Sequence, residues 1–111
     1  MGKIARIISL EFDSAESRKE TVAKFRSALN EIAEGIELSV VVNTSETSVM
    51  AIQIWPDEPT LQAYEERRIE WSSKNHTSVR DRISYEGDVD FWFQQIKYFG
   101  GDAIRVSGVG A

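Results

Sequence analysis

The sequence predicts an α+β protein with elements in the order β-α-β-β-α-β, the split βαβ or ferredoxin-like arrangement. Three observations carry this. Two stretches have a helical apolar stripe behind a capping residue. Two β-branched runs flank a polar turn. Alternating segments stand at the two ends of that series. The arrangement calls for an antiparallel four-stranded sheet with both helices on one face. A single domain over 1–111 is expected, with a core at about 4–94 and a C-terminal extension at 95–111. Its 111 residues are enough to bury a core without metals or disulfides.

"KIARIISLEF" reads as the first strand. Ile4, Ile8, Leu10 and Phe12 share one parity, and Ile7 lies on the other with Ser9 and Glu11. Apolar weight on both faces marks a central strand. "DSAESRKETVAKFRSALNEIAEG" follows as a helix near 14–34. Asp13 or Ser14 caps it, Val22, Phe25, Leu29, Ile32 and Ala33 form one stripe, and Gly35 ends it. Residues 36–42 and 49–55 alternate around "NTSET" and read as a hairpin. "PDEPTLQAYEERRIEWSSKN" is the second helix, near 58–74. Its stripe of Leu61, Tyr64, Arg68 and Trp71 is weaker, because Arg68 interrupts it.

The last main strand is expected at Val89–Gln94. There Val89, Phe91 and Phe93 alternate with Asp90, Trp92 and Gln94. The Gly-rich tail adds one short alternation, Ala103–Val106, as an edge strand or a loose arm. Trp92 stands opposite Phe91 and Phe93, so one of these groups points away from the helices. A bare apolar sheet face would be a large exposed patch. A second copy packed face to face covers it, so a homodimer with Trp92 at the interface is expected.

The chain has no cysteine, which excludes a disulfide framework, a thiol nucleophile and a zinc site built on Cys. Together with the lack of a signal-peptide cleavage pattern, this points to the cytoplasm. No apolar run reaches the roughly 18 residues of a membrane span. The net charge is −5, with 13 basic residues interleaved among 18 acidic ones, so nucleic acid is not an expected partner. No metal cluster, nucleophile–base pair or carboxylate dyad stands out. Accordingly no metal and no cofactor are expected, no catalytic residue is assigned, and whether the protein is an enzyme stays open.

The element order, the strand end "AIQIW" at Trp55 and the helix "LQAYEERRIEW" resemble the antibiotic biosynthesis monooxygenase-like branch of the dimeric α+β barrel superfamily. The resemblance runs from about Ile4 to Phe93. It implies sheets paired into a barrel across a dimer, with ligands between sheet and helices. Haem-degrading members of the superfamily carry an Asn in the first strand and a Trp and a His on the second helix. This chain has Ser9 and Glu11 in that strand, Tyr64 or Trp71 near the Trp position and His76 near the His position.

The weaker stripe of the second helix predicts a wedge beneath it. Tyr64, Trp71, Phe91 and Phe93 are expected to line that wedge, with Phe25 and Leu29 on the far wall. His76 and Tyr64 would hold a polar head group. The expected function is binding of a small apolar ligand, fatty-acid-like or polyketide-like. The alternatives are a cofactor-independent monooxygenase and a structural dimer without ligand. Arg6 with Glu11, and Asp90 with Lys97, are candidate charge pairs.

Overall fold

The computed structural model describes residues 2–75, 77, 79–95, 98–99 and 102–103. The elements are β1 (Ile4–Glu11), α1 (Ala15–Ile32), β2 (Leu38–Asn43), β3 (Ser48–Trp55), α2 (Glu58–Asn75) and β4 (Asp81–Asp88). Two short strands follow, β5 (Tyr98–Phe99) and β6 (Asp102–Ala103), which pair with each other. The main sheet has the order β2-β3-β1-β4, and every neighbouring pair is antiparallel. This is the ferredoxin-like β-α-β-β-α-β arrangement.

Parity sorts the two sheet faces. Arg6 and Ile8 of β1, Phe12 just after it, and Val49, Ala51, Gln53 and Trp55 of β3 are buried on the helix side. The register aligns Arg6 with Gln53, Ile8 with Ala51 and Ile4 with Trp55, so these side chains form continuous rows across the sheet. The core fills the space between these rows and the helices. Ala28, Ile32 and Ala33 from α1 meet Trp55, Leu61 and Tyr64, with Phe25, Leu29 and Trp71 packed at the margin.

Local chemistry fixes the helix ends. Ser14 Oγ accepts from Ser17 N–H at 3.0 Å and caps α1. Asp57 plays the same part for α2, accepting at Oδ1 from Thr60 N–H at 2.9 Å and from Thr60 Oγ1 at 2.6 Å. The side-chain bond from Thr60, then the backbone bond, hold the Asp57 carboxyl below its ordinary value. α1 has no basic residue in its last turn, and Arg67 from α2 donates Nε to Ile32 O at 2.8 Å instead. Beyond α1 the chain turns at Gly35, whose φ of +91° suits a residue without Cβ. A Cβ there would also meet Thr60 Cγ2 at 2.6 Å. Gly35→Ala is therefore expected to destabilise by about 1–3 kcal/mol, read from the urea midpoint at unchanged slope.

The last main strand differs from the sequence expectation. It is β4 at Asp81–Asp88, not Val89–Gln94. Only Val89 prolongs the pairing, donating N–H to Lys3 O at 2.9 Å. Residues 91–95 lie outside any strand. The reason lies in which side of β4 meets the helices. Arg82, Ser84 and Glu86 align with Leu10, Ile8 and Arg6 and face α2, while Ile83 and Tyr85 point to the bare face. A strand with its polar residues turned toward the helices inverts the usual amphipathic cue. The tail expectation at Ala103–Val106 falls partly outside the described residues, and Ala103 itself pairs with Tyr98. Among the described residues no helix is long and apolar enough to cross a membrane.

Candidate functional site

A polar residue at a core position of β3 begins the site. Gln53 shares its parity with Val49, Ala51 and Trp55 and is fully buried. A buried amide must find partners. Trp55 Nε1 donates to Gln53 Oε1 at 3.3 Å, and Gln53 Nε2 donates to Tyr64 Oη at 3.4 Å. The Trp55 and Tyr64 rings lie 4.7 Å apart at 36°. Burial pushes the Tyr64 hydroxyl pKa up, against the opposing hydrogen bond from Gln53 and the charges of Arg68 and Arg6. Tyr64 therefore stays protonated across the ordinary pH range.

Beside this trio lies an ionic network. Arg6 of β1 is buried and its Nη1 donates to Glu65 Oε1. Arg68, one turn along α2, donates Nη2 to Glu65 Oε2 at 2.6 Å and Nε to Glu65 Oε1 at 3.3 Å. Arg6 Nε stands 3.5 Å from Glu86 Oε2 of β4 and finds no hydrogen-bond partner among the described residues. Partial burial would raise the Glu65 pKa, but hydrogen bonds and charge from Arg68 and Arg6 outweigh it and hold the carboxyl at about 2. Arg82 of β4 faces the same side of the sheet. Its pKa is lowered by burial first, and then by the like charges of Arg68 and Arg6.

Next to both groups is a cavity of about 100 Å³ between α1, α2 and the sheet. Leu10, Phe12, Val22, Phe25, Val49, Ala51 and Trp71 supply apolar walls. Gln53, Arg68, Ser72, Thr77 and Arg82 supply the polar ones. Phe25 and Trp71 meet edge-on, with ring centroids 6.0 Å apart. Arg68, Ser72, Thr77, Val79 and Arg82 also border a depression on the outer surface, so they form the mouth.

The structure brings some of the sequence-predicted site residues together and separates others. Phe25 and Trp71 line the cavity. Tyr64 sits behind it, held by Gln53, and Leu29 packs against the adjoining core. Phe91 and Phe93 do not reach it. They follow β4 and are 82% and 79% exposed, because the strand expected to carry them ends at Asp88. Trp92, between them, is half-buried. His76 lies outside the described residues, as does Lys97 of the candidate pair with Asp90. Arg6 does not pair with Glu11. The two have opposite parity on β1, and Glu11 Oε2 accepts from Thr47 Oγ1 at 2.6 Å.

Sequence reasoning passed over Gln53, Arg82 and the role of Arg68. Gln53 was detectable as the one polar residue at a core parity of "VMAIQIW". Arg82 had no such signal, since its strand was expected elsewhere.

No protein-family model matches the chain. No curated protein matches it either. Solved structures do match. A mutant of SnoaB, a cofactor-independent oxygenase from Streptomyces nogalater, superposes with a TM-score of 0.65 at 10% identity, over 86% of this chain and 100% of that one. The ActVA-Orf6 monooxygenase of Streptomyces coelicolor, in complex with nanaomycin D, gives 0.62 at 11% identity, over 85% and 92%. A dimeric ferredoxin-like protein from an uncultured marine organism gives 0.59 at 15% identity, over 86% and 94%. At such identities the likeness is one of fold. The chain has the ferredoxin-like fold that these monooxygenases and the dimeric ferredoxin-like protein share.

Proposed function

We propose that the protein is a homodimeric α+β barrel that binds a small apolar molecule between its sheet and helices. The observation that carries the binding is the cavity itself. Its walls are apolar and aromatic, and a few polar groups gather at one end, as small-molecule sites require. The ligand classes expected from the sequence, fatty-acid-like and polyketide-like molecules, share an apolar body with a polar end. Native mass spectrometry of the purified protein is expected to show a bound small molecule that leaves on collisional activation. Ala51→Leu, which adds bulk to the cavity wall, should abolish that adduct. An adduct unchanged in the variant would place the ligand elsewhere.

The dimer rests on the other sheet face. Ile7 aligns with Ile52 on one side and Tyr85 on the other. Val40, Val42, Met50 and Ile83 extend the row, and all but Ile52 are exposed. Such a contiguous apolar area on a small protein marks an interface. The sheet of a second copy, with Trp92 at the margin, is the proposed cover. Sedimentation at micromolar concentration is expected to give twice the chain mass. Ile7→Asp, which places a charge at the centre of the face, should return it to the single-chain mass. A dimer that survives this change would exclude the sheet face as the interface.

A further inference from the structure

Three arginines, Arg6, Arg68 and Arg82, face the helix side of the sheet near the cavity, against two carboxylates, Glu65 and Glu86. Arg80 and Asp81, which border the same depression, offset each other, so one positive charge is left unmatched there. The surplus sits on Arg82. Arg6 and Arg68 share Glu65, whereas Arg82 has no carboxylate within 4.0 Å of its side chain among the described residues. Arg82 is nonetheless half-buried, with Arg68 and Arg6 near enough to disfavour its charge. A partly desolvated guanidinium with no carboxylate in contact among the described residues, and only Glu65 at longer range, is a binding group in waiting. Its position is at the mouth, which it forms together with Arg68, Ser72 and Thr77.

Size narrows the body of the ligand. The cavity is about 100 Å³. An apolar protein cavity of about 150 Å³ holds one benzene molecule. The room here is about two-thirds of that and opens at the mouth, so a short branched chain fits within it and a single ring fits by reaching into the mouth. A long acyl chain or a fused polycycle exceeds it.

Building on the cavity reading above, we infer that the site takes a small apolar monoanion, a single-ring or short branched-chain carboxylate, with its ring or chain against Phe25 and Trp71 and its carboxylate at Arg82 and Arg68. A carboxylate matches the guanidinium fork with two oxygens. It would also neutralise the local surplus, so charge and shape select the same class.

The test is calorimetric titration of the whole protein with benzoate, benzamide, benzylamine and dodecanoate at low salt. Benzoate is expected to bind saturably and at least tenfold tighter than benzamide, and benzylamine not at all. Dodecanoate should bind no better than benzoate. Arg82→Gln should cut benzoate affinity at least tenfold while leaving benzamide unchanged, and Arg82→Lys should recover part of the loss. Equal binding of benzoate and benzamide by the native protein would overturn the carboxylate assignment and leave the cavity reading standing. Tighter binding of dodecanoate would overturn the size assignment alone. No binding of any aromatic probe, by native protein and Ala51→Leu alike, would overturn the cavity reading and this inference with it. The comparison of probes on the native protein needs no variant to fold.

Discussion

Trp55→Ala should cost about 3–5 kcal/mol, the range for emptying the site of a buried aromatic. Trp55 is 0% exposed and stacks on Tyr64. Two losses add. The void removes packing for Leu61, Tyr64 and the end of α1, which form one cluster with Trp55. The missing indole N–H also strands Gln53 Oε1 in the interior, and an unpaired buried acceptor costs about 1–3 kcal/mol. A small domain has only about 5–15 kcal/mol to lose. Chemical denaturation should show a large fall in midpoint, and far less for Trp55→Phe, which keeps most of the volume. A loss under about 1 kcal/mol would mean that Trp55 is not the centre of the core.

Glu65→Ala is the second large effect, at about 1–3 kcal/mol: the buried Arg6 loses its partner, while the partly exposed carboxylate is partly screened by water. Glu65 is the carboxylate that both Arg6 and Arg68 contact, and Arg6 is buried. Its removal would leave Arg6 with only the 3.5 Å approach of Glu86. The same residue sets a pH dependence. Its folded pKa of about 2 lies below the ordinary 4.5. A depressed carboxylate stabilises the fold fully above the unfolded value and loses that contribution as pH falls through the folded one. Native protein should therefore lose stability between about pH 4.5 and 2. Glu65→Gln should start less stable at pH 7 and change less across that window. Parallel curves for the two proteins would remove Glu65 as the source of the slope.

Much of the fold was legible in the sequence because caps and stripes agreed. Ser14 with the Val22-to-Ala33 series placed α1, and the stripe of Leu61, Tyr64 and Trp71 placed α2. The β-branched runs around "NTSET" placed β2 and β3. The last strand was misplaced for a physical reason. "DVDFWF" has the alternation and aromatic content of a strand, and "DRISYEGD" does not announce which side it buries. β4 turns Glu86 toward α2, where it approaches the charged patch of Arg6, Glu65 and Arg68, and the same parity puts Arg82 on that face. With Glu86 the patch is tertiary, assembled from β1, α2 and β4, and no local pattern encodes it. The same shift moved Phe91 and Phe93 out of the cavity and left Arg82 in their place.

The two rims of the sheet differ in their exposure to self-templating. β4 carries Asp81, Arg82, Glu86 and Asp88, charges that discourage a neighbouring chain from adding a strand. β2 ends the other side with "LSVVVN", where Val40, Val41 and Val42 are exposed and no charge or proline interrupts the run. Short, uncharged, β-branched segments on an open rim are the usual seeds of cross-β fibrils. The net charge of −5 opposes the approach of a second copy at that rim by long-range repulsion. Salt shortens that reach to about 10 Å at 0.1 M. Fibril growth followed by thioflavin fluorescence should therefore quicken as salt rises, and a charged residue in place of Val42 should slow it.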